Sequence, residues 1–137
     1  MTQQKITEVV AALLQENGRF LVFQRPAEKA RGLLWEFVGG KTEPGETPEQ
    51  ALVRECSEEL GIRITVGDVF MDLTHRYPDL TVHLTVFHAA LAPDSPEIRL
   101  LEHRAMCRAD LKTLRTLPFC PADQPVLEKI EAHFGTS

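Results

Sequence analysis

Glu55, Glu58 and Glu59 crowd one short stretch, Arg54-Glu55-Cys56-Ser57-Glu58-Glu59-Leu60-Gly61-Ile62. Placed on a helix at about 100° per residue, they share one arc roughly 100° wide. Like charges three or four residues apart cost a few tenths of a kcal/mol per pair in water. Arg54 is expected to point elsewhere on the helix and so leaves this repulsion standing. A hard divalent cation would offset it. Ligands that are all oxygen, with no Cys or His among them, suit Mg²⁺ or Mn²⁺ rather than Zn²⁺. The competing reading is a solvated charged face, the usual fate of a run of glutamates.

Something must hold these carboxylates in place, and the flanking residues describe it. Thr47 can cap a helix, Pro48 suits its first position, and Gln50 completes a capping box. Gly61 can end it with a positive φ. The helix is therefore expected over Pro48–Leu60, burying Leu52, Cys56 and Leu60 with Val53 beside them. A Gly-rich loop, Gly39-Gly40-Lys41-Thr42-Glu43-Pro44-Gly45-Glu46, leads into it.

Strands should surround this unit. Residues 6–15 contain the continuous apolar run Val9 to Leu14, as in a strand covered on both faces. Asn17-Gly18 signals a hairpin into a strand over 20–24, which Arg25-Pro26 ends. Residues 35–38 read as a short strand before the Gly-rich loop. After the helix, 63–73 forms a strand with a bulge or turn at Gly67-Asp68. Tyr77-Pro78-Asp79 turns the chain into a strand over 80–92, and Pro93 to Pro96 breaks it. A short strand holds Met106 and Cys107, and a small turn begins at Ala109-Asp110-Leu111. Ala122 or Asp123 caps a last helix through Phe134, which buries Val126, Leu127, Ile130 and Phe134. The order βββαβββα predicts an α/β (α+β) fold with a mixed sheet between helices.

A chain of 137 residues, 43% apolar and 26% charged, is expected to be one domain over 1–137. The net charge of −5 argues against a nucleic acid polymer as partner. Cys56, Cys107 and Cys120 fit no metal motif, and reduced thiols suggest a cytoplasmic protein. Met1-Thr2-Gln3-Gln4-Lys5 lacks a signal-peptide core, and no apolar run is long enough to span a membrane. His75, His83, His88, His103 and His133 show no ligand spacing and read as strand-surface or packing residues.

Taken with Gly40 and Glu46 upstream, the run from Arg54 to Ile62 resembles the signature of the Nudix hydrolases. Each fixed position is filled, with Cys56 where an aliphatic residue is usual. The resemblance implies an α/β/α sandwich and a Mg²⁺-dependent pyrophosphohydrolase, with Mn²⁺ able to substitute. By that pattern Glu55, Glu58 and Glu59 are metal ligands, and the carbonyl of Gly39 or Gly40 is a further one. Arg54 orients the glutamates or a loop carboxylate, most plausibly Glu46. Glu55, Glu59 and Glu102 are candidates for the base, Glu102 also as a metal ligand. Arg25 and Lys41 fall to the substrate's phosphates.

The resemblance runs through nearly the whole chain. Glu8-Val9-Val10-Ala11-Ala12, Gln24-Arg25-Pro26, Leu34-Trp35-Glu36-Phe37 and Pro121-Ala122-Asp123-Gln124-Pro125 look like the MutT branch. That branch holds 8-oxo-dGTP diphosphatases and CTP pyrophosphohydrolases. They are house-cleaning enzymes tied to DNA replication and repair, which yield a nucleoside monophosphate and pyrophosphate by attack at the β-phosphorus. Asp123 is then the residue facing the base, where the guanine-specific pattern has Asn, and Phe37 and Tyr77 could wall the base by stacking. The same residues have plain structural roles open to them, Asp123 as a helix cap and the aromatics as core. The implied partner is a small nucleotide, on a monomer or weak homodimer without a membrane. The alternatives are a Nudix hydrolase of nucleotide sugars or dinucleoside polyphosphates, and a non-catalytic nucleotide sensor.

Overall fold

The computed structural model describes residues 5–135; Met1 to Gln4 of the N-terminal reading, and Thr136 and Ser137 at the end of the expected domain, lie outside them. The central strand is β1 (Ile6–Glu16). Its apolar run serves two cores at once. Val10, Ala12 and Leu14 face one helix layer, and Ala11 and Leu13 face the other. That two-sided burial is why the run does not alternate in hydropathy.

Seven strands among the described residues form one sheet. Along one edge β1 runs parallel to β6 (Thr81–Leu91), from Ile6 opposite Thr81 to Leu14 opposite Ala89. On its other edge β1 meets β2 (Arg19–Gln24) near the hairpin and β4 (Gly39–Lys41) along Val9 to Ala11. β5 (Ile64–Arg76) closes the far side against β6. β3 (Trp35–Glu36) and β7 (Ala105–Ala109) both pair with β2. Asn17 and Gly18 take φ 53° and 76°, as the hairpin signal requires. The register of β5 slips between Val66 and Val69, where a bulge was expected.

The two layers are α1 (Pro48–Leu60) and α3 (Gln124–Phe134), so the mixed sheet lies between helices. Four details differ from the sequence reading. The strand expected over 35–38 stops at Glu36, and the chain then crosses from β2 to β1 to form β4. Ala12 N–H donates to Val38 O at 2.9 Å during that crossing. The small turn near Asp110 is a short helix, α2 (Leu111–Leu114), with Asp110 accepting from Thr113 N–H. Val53 is 42% exposed, while Ala51 is buried with Leu52, Cys56 and Leu60. The buried arc of α1 is rotated toward Glu55 and Glu59, because that side dips into a cavity. Finally, Asp123 makes no capping bond to α3; a turn at Pro121–Asp123 starts that helix instead.

Candidate active site

α1 is held at both ends by local chemistry. Thr47 Oγ1 accepts from Gln50 N–H at 3.1 Å, and Gln50 Oε1 accepts from Thr47 N–H at 3.0 Å. Gly61 closes the helix at φ 66°. Between these ends, β4 lies against β1 at Gly39, closer than any other residue could come, and brings Gly40 onto the Glu55 carboxyl. A Cβ on Gly39 would fall 1.9 Å from Val10 O, and one on Gly40 would fall 2.4 Å from Glu55 Oε2.

Arg54 does not point elsewhere, as the sequence reading had it. Its Nε and Nη2 donate to the two oxygens of Glu46 at 2.6 and 3.0 Å, a bidentate pair. Nη1 donates to Glu55 Oε1 at 2.8 Å and to Glu58 Oε2 at 3.1 Å. Nη2 also reaches Lys41 O at 3.0 Å. The guanidinium side chain extends beyond its own Cβ direction, which a helical wheel does not capture. One cation thus answers the repulsion among the glutamates and binds the loop to the helix. The bond from Arg54 holds the Glu46 carboxyl below the usual range, helped by the backbone at Glu43.

Glu55 and Glu59 turn into a cavity of about 520 Å³, whose wall also includes Gly39, Lys41 and Glu102. Glu58 does not; its side chain is 55% exposed and stays with Arg54. Glu59 is 6% exposed. Burial pushes its carboxyl up to about 10, reinforced by a hydrogen bond with Glu55 and by the charges of Glu55, Glu36 and Glu102. Such a carboxyl holds a proton at neutral pH, and a cation among the same carboxylates would replace that proton. All-oxygen donors, a buried acid in need of positive charge, and Gly40 packed onto Glu55 fit a hard divalent ion. Among the described residues, however, no three His, Cys, Asp or Glu side chains are gathered closely enough to hold a metal as they stand. The donor groups are neighbours rather than a finished cage.

The cavity continues past Arg25 and Phe37 to Tyr77 and Asp123. Arg25 Nη1 donates to Glu36 Oε1 at 3.0 Å, and its Nε donates to Ala30 O at 2.9 Å. Burial opposes the Arg25 charge, but Glu36 outweighs it and the pKa is raised. Phe37 is 3% exposed and packs against Phe119 with ring centroids 5.6 Å apart. Trp35 holds the segment before α3, donating to Pro118 O and accepting from Cys120 N–H. That pairing delivers Asp123 to the cavity. Asp123 is 6% exposed, and burial, then Glu36, raises its carboxyl well above the usual range against the pull of Arg25. A neutral carboxyl both donates and accepts.

Tyr77 lies at the mouth, its Oη accepting from Ala122 N–H at 2.9 Å. Arg31 covers the ring at 4.1 Å from the centroid while its Nη1 donates to Asp79 Oδ1 at 3.2 Å. One face of the Tyr77 ring is therefore covered by a guanidinium.

Arg31, Glu36 and His103 also line the cavity, and the sequence reading gave them no part in the chemistry. Glu36 had a visible signal, a carboxylate between Trp35 and Phe37 in a strand. His103 was read as packing. It is 8% exposed, and its Nε2 stands 2.9 Å from Glu36 Oε2 and 3.6 Å from Glu59 Oε1. Its Nδ1 is buried without a hydrogen-bond partner, an arrangement that costs about 1–3 kcal/mol.

The NUDIX domain family model matches residues 9–129. The chain belongs to the Nudix hydrolases. It is 40% identical to the CTP pyrophosphohydrolase of Escherichia coli, over 93% of each chain. Against the 8-oxo-dGTP diphosphatase of Escherichia coli it is 33% identical, over 93% of this chain and 98% of that one. The solution structure of the Escherichia coli ORF135 protein superposes with TM-score 0.80 and 40% identity, covering 94% of this chain and 91% of that one. The chain is thus a MutT-like Nudix enzyme with the Nudix fold, a pyrophosphohydrolase of nucleoside triphosphates that works with a divalent metal.

Proposed function

We propose that this Nudix enzyme hydrolyses a cytosine nucleoside triphosphate, CTP or dCTP, to the monophosphate and pyrophosphate, with 8-oxo-dGTP as the second substrate class. Mg²⁺ is its ion and Mn²⁺ can replace it. One observation carries the reading: a single cavity is lined both by the carboxyls of Glu55, Glu59 and Glu102 and by the buried carboxyl of Asp123. Burial raises the Asp123 pKa, and in its protonated form the side chain would offer a C=O and an O–H side by side. They complement the amino donor and ring-nitrogen acceptor on the pairing edge of cytosine. The 40% identity to a protein named for CTP supports the same choice.

Glu55, Glu59 and Glu102 would hold the metal with the Gly39 carbonyl, and Glu58 would join them on leaving Arg54. When bound, the ion supplies charge neutralisation on the phosphate oxygens and acidifies the attacking water. The chain's own residues do the rest. Arg54 keeps Glu55 and Glu46 aligned. One of Glu55, Glu59 and Glu102 would take the proton from the attacking water. Arg25 and Lys41 steady the phosphates, and Phe37, with Arg31 laid over Tyr77, walls the base.

We take residues 1–137 as one domain, a monomer or weak homodimer that cleans the cytoplasmic nucleotide pool and binds no nucleic acid polymer. Free Cys56, Cys107 and Cys120 are consistent with a reducing compartment. The test is pyrophosphate release from CTP, dCTP, 8-oxo-dGTP and dGTP, with Mg²⁺ and with excess EDTA. Cytosine nucleotides should give the highest kcat/KM, EDTA should abolish turnover, and Asp123→Ala should alter the ranking. Orthophosphate as product, or an unchanged ranking, would overturn the reading.

A further inference from the structure

His103 links Arg25 to Glu59. From Arg25 a chain of polar contacts runs through Glu36 Oε1 at 3.0 Å, Glu36 Oε2 to His103 Nε2 at 2.9 Å, and on to Glu59 Oε1 at 3.6 Å. Glu36 spends one oxygen on each neighbour. An imidazole nitrogen set between two carboxyl groups, one of them 2.9 Å away, serves as the donor, so the ring carries its proton on Nε2. The ring plane is fixed by Phe23, whose centroid lies 5.2 Å away. Its loop is fixed on both sides, Leu101 N–H donating to Glu59 O and Arg104 N–H to Gln24 O. Glu55, Glu36 and Glu102, the other groups acting on Glu59, are all acids. Among the described residues the buried Nδ1 has no hydrogen-bond partner, so the ring's polar contacts are those of Nε2.

We propose that His103 is a positioning residue for the hydrolysis: its Nε2–H, donated to Glu36 Oε2, holds Glu36 against Arg25 and seats the ring beside Glu59, so that the phosphate-side cation Arg25 and the metal-side Glu59 keep a fixed separation. The proposal rests on the site reading above, in which Glu59 and Arg25 serve metal and phosphate. It assigns a role to a side chain the reaction does not otherwise use. It also makes Glu36 a shared brace rather than a private partner of Arg25.

Glutamine and asparagine separate this role from simple packing. A Gln amide nitrogen reaches the Nε2 position; an Asn amide reaches only the Nδ1 position, where no partner stands. His103→Gln should stay within about threefold of the wild type in kcat, whereas His103→Asn and His103→Ala should fall by about 10–100-fold, the usual penalty for losing a group that orients a ligand. Mn²⁺ affinity measured by electron paramagnetic resonance without nucleotide should follow the same order. Equal behaviour of the Gln and Asn variants, or wild-type Mn²⁺ affinity in His103→Asn, would overturn the proposal. Should the variants fail to fold, nitrogen-15 spectra of the wild-type imidazole decide. The Nε2–H tautomer is expected, and the Nδ1–H tautomer would refute the role. The tautomer and the Mn²⁺ affinity are read without substrate, so a failure of the cytosine assignment leaves them standing.

Discussion

Arg54 makes side-chain bonds to Glu46, Glu55 and Glu58 and to the Lys41 carbonyl, and so concentrates the site's organisation in one residue. Arg54→Ala should lower kcat by about 10–100-fold, as expected for a group that orients ligands, with a smaller change in KM. Arg54→Lys should not restore it, because an ammonium cannot make the bidentate pair with Glu46. Steady-state kinetics on folded variants would check both, and full activity in Arg54→Lys would show that charge alone suffices. The helical arc shared by the three glutamates was legible from spacing, whereas a part for Arg54 came only from the resemblance to the family signature. The direction of the guanidinium was not legible, because a long side chain chooses its partners from the loop as well as from its helix. Tyr77 teaches the same point. The sequence could not show that Arg31, 46 residues earlier, covers one face of its ring.

α1 is the element most fully legible, since cap, stripe and terminus are all local. Thr47→Ala removes the capping box and should destabilise the protein by about 1 kcal/mol. Urea unfolding would measure that loss, and an unchanged midpoint would refute it. The sheet offers a pH-dependent brace. His83 on β6 lies 2.7 Å from Glu8 on β1 and 3.3 Å from Asp72 on β5. Glu8 first, then Asp72, raise its pKa. The folded value therefore exceeds the unfolded value of about 6.5. The stabilisation is complete below the unfolded pKa and is lost as pH rises through the folded pKa. His83→Gln should lose more stability at pH 5.5 than at pH 8.5; an equal loss at both would remove the ionic contribution. That brace depends on β1 pairing in parallel with β6, a contact between residues about 75 positions apart that no local pattern announces.

At the scale of the whole molecule, the metal-side acids link folding to ion binding. Burial and the neighbouring acids raise the Glu59 pKa in the folded protein, and metal binding competes with the proton it then carries. Mg²⁺ or Mn²⁺ should therefore raise Tm, by up to about 2.7 kcal/mol of added stability at a hundredfold excess over Kd. The rise should grow between pH 6 and 9, because proton competition weakens as pH increases. Calorimetry in matched buffers would test this, and a rise that shrinks with pH would contradict it. In Glu59→Gln most of the response should disappear.

Sequence alone determined the parts whose causes are local. The hairpin at Asn17-Gly18, the capped helix Pro48–Leu60 and the arc carrying Glu55, Glu58 and Glu59 depend on backbone preference and helical period. The two-sided burial of β1 was visible in its unbroken apolar run. Tertiary structure alone decided the rest. It split the expected strand at Glu36, because Gly39 to Lys41 must reach β1 rather than β2. It brought Glu36, Glu59, Glu102 and His103 together from separate segments, and it left Glu58 outside with Arg54. It also removed Asp123 from helix capping and made it a buried acid. Burial and charge proximity set which carboxyls keep a proton, and both are properties of the assembled surroundings that neighbouring residues in the chain do not carry.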